Sequence, residues 1–137
     1  MKIKILIPAF LLLIVLSFIA RAENKPFKKD LSDVPRISFT ETEYDFGVIE
    51  PGANAVHYFV FSNTGKSPLV ITNVRSSCGC TVPQWPKTPL TGGTKDSLRV
   101  EYNTKIKGAF NKSITVLSNA ENSAVELRIK GSVIKKK

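Results

Sequence analysis

From Pro35 onward, apolar and polar residues alternate along the chain. Val125, Leu127 and Ile129 are interleaved with Glu126, Arg128 and Lys130, and Leu98, Val100 and Tyr102 with Ser97, Arg99 and Glu101. Ile114 and Val116 repeat the pattern between Ser113, Thr115 and Leu117. A period of two sends successive side chains to opposite faces of an extended backbone, so each run predicts a strand with one buried face. His57-Tyr58-Phe59-Val60-Phe61, within residues 54–63, is apolar at both parities, which predicts a central strand covered on both sides. Residues 69–75 predict another strand, and Ile37-Ser38-Phe39 and Tyr44-Asp45-Phe46 two shorter ones. Pro51-Gly52, Asn63-Thr64-Gly65, Gly92-Gly93, Lys107-Gly108 and residues 119–123 supply the turns between them. No segment after residue 34 sustains a helical period. About seven short strands with this punctuation predict an all-β fold, an antiparallel immunoglobulin-like β-sandwich over residues 35–134.

The N-terminus follows a different rule. Lys2 and Lys4 precede an apolar run over residues 5–20, broken only by Pro8 and Ser17, and Ala20-Arg21-Ala22 places small residues at a cleavage spacing. The run is shorter than the ~20 residues a membrane span needs, so residues 1–22 are expected to be a cleavable signal peptide, with an uncleaved anchor as the alternative. Residues 23–34 are polar and aperiodic, a leader to the domain, and residues 135–137 form a basic tail. The expected product is exported, periplasmic or at the cell surface, with no integral span once the signal is removed.

Export changes the reading of charge. The formal +9 of the chain falls to +6 (17 basic, 11 acidic) without residues 1–22, and residues 35–134 hold 11 basic and 8 acidic side chains. The basic residues are scattered among acidic ones, without an arginine-rich helix or an aromatic-basic stacking motif, so nucleic acid is not an expected partner. A domain of 115 residues buries enough surface to fold without a staple.

Chemistry concentrates at Ser76-Ser77-Cys78-Gly79-Cys80-Thr81-Val82-Pro83, which contains both cysteines of the chain. In an extended strand Cys78 and Cys80 would point to one face with Cα atoms about 6.6 Å apart, the edge of disulfide geometry. Gly79 permits a turn or bulge that brings the sulfurs together. Four states are open: buried free thiols, a labile disulfide, a metal pair, or partners for another protein's cysteine. Two thiolates suit a soft metal ion, and Cys78, Cys80 and the single histidine, His57, are the candidate ligands. Structural zinc asks for four ligands, and no second cysteine pair supplies them. His57 shares parity with Phe59 and Phe61, which places it at the end of a core face. Trp85, in the proline-rich stretch of residues 82–89, is expected to cap the sandwich or to form a recognition surface beside the sulfurs; its prolines make that stretch a loop or an edge. With one histidine, no nucleophile elbow, no zinc-protease motif and no phosphate loop, no catalytic residue and no cofactor are expected. Glu41, Glu43, Asp45 and Glu50 read as a solvated acidic face.

Several segments together resemble a bacterial family known as domain of unknown function 1573. They are Tyr44-Asp45-Phe46-Gly47-Val48-Ile49, residues 57–65, Pro68-Leu69-Val70-Ile71, Ser77-Cys78-Gly79-Cys80-Thr81 with Pro83, Trp85 and Pro86-Lys87, Tyr102-Asn103-Thr104, Gly108-Ala109-Phe110, and residues 127–133. Thr91-Gly92-Gly93 departs from the pattern, which often has Pro-Gly there; the departure concerns a turn. The resemblance implies an exported immunoglobulin-like sandwich related to attachment modules of larger assemblies, and assigns no role to the cysteines. The expectation is a non-enzymatic binding or scaffold module of the cell envelope that contacts an envelope protein or a glycan. The alternative is a Cys-Gly-Cys thiol site for soft-metal handling or thiol–disulfide redox.

Overall fold

The computed structural model describes residues 30 and 33–137. The segment read as a signal peptide lies outside the described residues, as does most of the leader. The described chain forms eight strands: β1 (Ile37–Phe39), β2 (Glu43–Ile49), β3 (Val56–Asn63), β4 (Ile71–Ser76), β5 (Thr81–Gln84), β6 (Lys95–Tyr102), β7 (Gly108–Ser118) and β8 (Ala124–Val133). They build two four-stranded sheets, in the orders β1-β3-β6-β5 and β2-β8-β7-β4. The expected immunoglobulin-like β-sandwich is the fold observed.

The alternating residues do what their period demands. Leu127 and Ile129 of β8, Ile114 and Val116 of β7, Leu98 and Val100 of β6, and Phe59 and Phe61 of β3 are all buried and meet between the sheets. Each such side chain contributes roughly 1.5–3 kcal/mol by leaving water, so this layer dominates stability. Tyr102 stacks on Phe110 with ring centroids 3.8 Å apart, closing the core at one end. Gly131 lets that stack form, because a Cβ there would lie 2.8 Å from Phe110 Cζ.

Four expectations need correction. β2 runs parallel to β8, so that sheet is mixed. Parallel neighbours need a long crossover, and here the rest of the domain provides it. β3 is central but covered on one side only: Tyr58 is 53% and Val60 37% exposed on its outer face. The strands number eight rather than about seven, because the proline-rich stretch, expected as a loop or an edge, opens with an edge strand, β5, paired with β6. The strand expected over residues 69–75 begins at Ile71, Leu69 making a separate bridge with Leu90.

The two ends of the sandwich are built differently. At the end where the described chain enters, Asn63 is fully buried and acts as a hub. Its Oδ1 accepts from the backbone N–H groups of Arg36 (3.2 Å) and Gly65 (3.0 Å), and its Nδ2 donates to the carbonyls of Ser67 (2.8 Å) and Leu90 (3.0 Å). At the other end lie the β2–β3 turn, the loop of residues 103–107 and the tail beyond Val133, with Ile134 N–H donating to the Ile49 carbonyl at 3.0 Å.

Candidate functional site

β4 and β5 are edge strands of opposite sheets, and residues 77–80 carry the chain from one to the other. This crossing holds the cysteines. The Ser77 N–H donates to the Ser113 carbonyl (2.9 Å), and the Ser113 N–H donates back to Ser77 Oγ (3.1 Å). The Ser76 hydroxyl lies 2.7 Å from the Cys78 carbonyl and 3.0 Å from that of Thr81, drawing the loop back on itself. On the far side the Asn103 N–H donates to the Cys80 carbonyl at 2.8 Å. Each bond contributes about 1 kcal/mol, and together they clamp the crossing at both ends.

The clamped loop brings the Cα atoms of Cys78 and Cys80 to 5.3 Å, and the sulfurs form a disulfide. Of the four states open to the sequence, the structure displays this one. Cys80 packs against the core, and both cysteines are half-buried. Gly79 is not among the glycines with left-handed backbone, and nothing lies within 4 Å of the position its Cβ would take. The turn therefore forms by the hydrogen bonds of its neighbours, and the space beside Gly79 is open while the two cysteines stay half-buried. Ser76, Ser77 and Asn103 are the supporting residues that sequence reasoning passed over. Ser77 stands inside the cysteine motif and Asn103 inside the Tyr102-Asn103-Thr104 segment, but Asn103 acts here through its backbone, which its side chain does not announce.

The remaining candidates separate. Trp85 is partly buried against the core, and Lys87 Nζ sits 3.1 Å from its ring centroid, a cation–π contact that covers the outward side. Its buried indole N–H has no hydrogen-bond partner among the described residues. His57 stacks on Tyr44 with centroids 3.6 Å apart, meets Phe59 edge-on, and shares a 2.7 Å hydrogen bond with Glu41. It belongs to the aromatic rim of the core. Among the described residues no three His, Cys, Asp or Glu side chains gather as a metal-ligand set, so His57 and the cysteines are not brought together. The acidic face is also partly engaged: Glu43 pairs with Lys130 and holds its ammonium above the usual lysine range, and Asp45 Oδ1 accepts from the Gly47 N–H at 2.8 Å.

A second feature emerges beside the disulfide crossing. On the outer face of the β1-β3-β6-β5 sheet, Tyr58 and Gln84 flank Arg99, while Val56 and Val82 flank Glu101. Tyr58 and Val82 are more than half exposed, and Val60 extends the apolar strip along β3. Arg99 pairs with Glu101 at 2.8 Å, and this contact, helped by Tyr58 opposite it, raises its already high pKa. The face thus presents a fixed cation among an aromatic ring and two valines. The clean alternation of β6 already signalled an exposed face here, because a sheet has one outer surface and Arg99 and Glu101 stand on it beside Tyr58.

The family model described as "Protein of unknown function (DUF1573)" matches residues 37–133, all eight strands and the cysteine crossing. The chain belongs to this family. No curated protein matches it. Among solved structures, a protein of unknown function from Porphyromonas gingivalis W83 is similar, with TM-score 0.68 and 16% identity over 80% of this chain and 51% of that one. The chain therefore spans about half the length of that relative. A PapD-like domain of human CEP192 gives TM-score 0.65 and 12% identity over 82% of this chain and 94% of its own. The YadV chaperone gives 0.54 and 11% identity over 74% of this chain and 53% of its own. At these identities the likeness shows the fold alone, an immunoglobulin-like and PapD-like β-sandwich. Among the described residues no helix is long and apolar enough to cross a membrane.

Proposed function

We propose that this protein is an exported, non-enzymatic binding module of the cell envelope, periplasmic or surface-exposed, and that it holds a protein partner on the outer face of its β1-β3-β6-β5 sheet. The carrying observation is the exposure there of Tyr58 (53%), Val60 (37%) and Val82 (51%) around Arg99. Aromatic residues and arginine are enriched where proteins bind, and exposed apolar side chains grouped around an arginine on one sheet face have no role within the fold. The sheet edges suit strand capture less well. β1 has three residues, β5 contains Pro83, and β2 and β4 are interrupted by register shifts. Short, broken or proline-bearing edges resist further pairing, which leaves recognition to the face. Sandwich domains of chaperones are among the folds this chain resembles, which supports a binding role without naming the partner.

The test is site-specific photocrosslinking in the native cell, with the reactive group at Tyr58, Val82 or, as a control on the other sheet, Thr72. A defined adduct from the first two positions and none from Thr72 is expected, with loss of the adduct in Arg99→Ala. Equal labelling from Thr72, or none from Tyr58 and Val82, would refute the assignment. Periplasmic extraction of a chain beginning after Ala22 is the matching test of export.

The half-buried Cys78–Cys80 disulfide, with open space over Gly79 between its cysteines, supports a second reading, thiol–disulfide exchange. A partner thiolate would attack one sulfur, forming a mixed disulfide and releasing the other as thiolate. A second partner thiol would then resolve it, leaving the partner oxidised and Cys78 and Cys80 reduced. Soft-metal binding at this pair would require that reduced state. Alkylation of both cysteines only after treatment with a dithiol partner is the distinguishing result.

A further inference from the structure

The tail of residues 135–137 holds three lysines, too few by themselves to attach the protein to anything. The fold adds to them. The loop between β6 and β7 lies at the same end, because Gly108 at the start of β7 is paired with Val133 at the end of β8. Lys107, Lys135 and Lys136 line one shallow groove there with Glu50 and Pro51. Lys105 belongs to the same loop, whose turn is held by Asn103: its Oδ1 accepts from the Lys105 N–H (3.1 Å) and its carbonyl from the Ile106 N–H (3.2 Å). Lys105, Lys107 and the three tail lysines are exposed, and none forms an ion pair with a described residue. At the opposite end Arg36 pairs with Glu121 at 2.7 Å and Lys66 lies 3.8 Å from Asp33, leaving Lys95 without an ion pair among the described residues. Five lysines against one carboxylate, Glu50, thus stand together at this end.

The same end exposes large aliphatic side chains. Ile106, between Lys105 and Lys107, is 46% exposed, and Ile134, just before the lysine tail, is 47% exposed. We infer that this end seats on an anionic lipid surface, with the five lysines at the headgroup phosphates and Ile106 and Ile134 dipping toward the acyl boundary. Charge complementarity and the interleaved isoleucines select this occupant. A soluble polyanion would have no use for the aliphatic side chains. Lysine is depleted from the cores of protein interfaces, which argues against a protein at this end. Five basic residues reach the range in which lysines hold a domain to anionic headgroups, and two partly inserted side chains supply the second signal that stable attachment needs. This surface is separate from the sheet face proposed for the protein partner, so either assignment can fail without the other.

The experiment uses the full chain carrying acrylodan on a cysteine at Ile106, or at Ser123 on the opposite end as control. The local probe reads the position of this end whatever residues 5–20 do. A blue shift at Ile106 is expected with vesicles of phosphatidylcholine and phosphatidylglycerol, and none with phosphatidylcholine alone. The Ser123 probe should not respond, and added salt should reverse the shift. Substituting lysines 105, 107, 135, 136 and 137 by glutamine should raise the lipid needed for half the shift by about fivefold per lysine removed. An unchanged shift in the five-lysine variant, no shift on anionic vesicles, or equal shifts from both probes would overturn the inference. Displacement from vesicles by inorganic polyphosphate at matched phosphate, in wild type and Ile134→Ser alike, would assign the end to a soluble polyanion instead.

Discussion

Replacing Asn63 with alanine would remove one side chain and strip three backbone groups of their partners. The Arg36 and Gly65 N–H groups and the Ser67 carbonyl bond to the Asn63 side chain, and that residue has no exposed surface. The Leu90 carbonyl would survive, because it also accepts from the Leu69 N–H at 2.9 Å. An unsatisfied buried polar group costs about 1–3 kcal/mol, and the partly buried Arg36 bond falls at the low end, so the expected loss is about 3–5 kcal/mol. A domain stable by ~5–15 kcal/mol would lose a large share of its margin. Urea unfolding followed by the fluorescence of Trp85, the only tryptophan, measures this directly, and the m-value should not change. Asn63→Asp sharpens the test. Its Oδ1 could accept from both N–H groups while neutral, so the second oxygen decides the protonation state, and it would face two carbonyls in a buried site. Its folded pKa should rise above the unfolded ~3.9. The variant should hold its stability below that pH and lose it as pH rises through the folded value. A loss below ~1 kcal/mol for alanine, or an aspartate variant whose pH profile overlays the wild type, would refute the hub.

Three further outcomes are expected. Cys78→Ser with Cys80→Ser should lower stability by only about 1–2 kcal/mol, because the loop it opens is so short, and should leave crosslinking from Tyr58 intact; chemical unfolding and the crosslinking assay report the two effects. Gly131→Ala should cost about 1–3 kcal/mol in the same unfolding assay, since its Cβ would press on a Phe110 ring already stacked against Tyr102. Tyr102 titrates above the ordinary tyrosine range because burial disfavours its phenolate. Its contribution is therefore complete below pH ~10 and is lost as pH rises toward the folded value, so Tyr102→Phe should flatten the alkaline fall of stability measured by unfolding at a series of pH values.

Much of the fold was legible because strand periodicity is local. Each alternating run of β6, β7 and β8 names its own buried face, and turn residues mark where it ends, so a sandwich follows from the sequence without knowledge of pairing. The family could likewise be read from the order of its motifs, with Cys78-Gly79-Cys80 as its centre. What the period cannot carry is which strands lie side by side. The parallel pairing of β2 with β8, the choice of β6 as the neighbour of β5, and the one-sided burial of β3 depend on neighbours remote in sequence. Tyr58 and Val60 looked like core residues until Arg99 and Ser97 stood beside them on an outer face.

The site divides along the same line. The sequence by itself determined that two cysteines flank a glycine, that His57 has no histidine partner and that lysines punctuate the last residues. Only the tertiary structure decided what these residues can do. Bonds from Ser76 at the end of β4, Ser113 of β7 and Asn103 of the β6–β7 loop hold the crossing in which the sulfurs join, and these reach it from three different parts of the chain. Pairing of β7 with β8 sets Lys107 beside Lys135 and Lys136, turning separated charges into one basic end. Side-chain chemistry is written residue by residue, but concentration of charge and apolar surface arises only when the backbone folds distant positions onto one face.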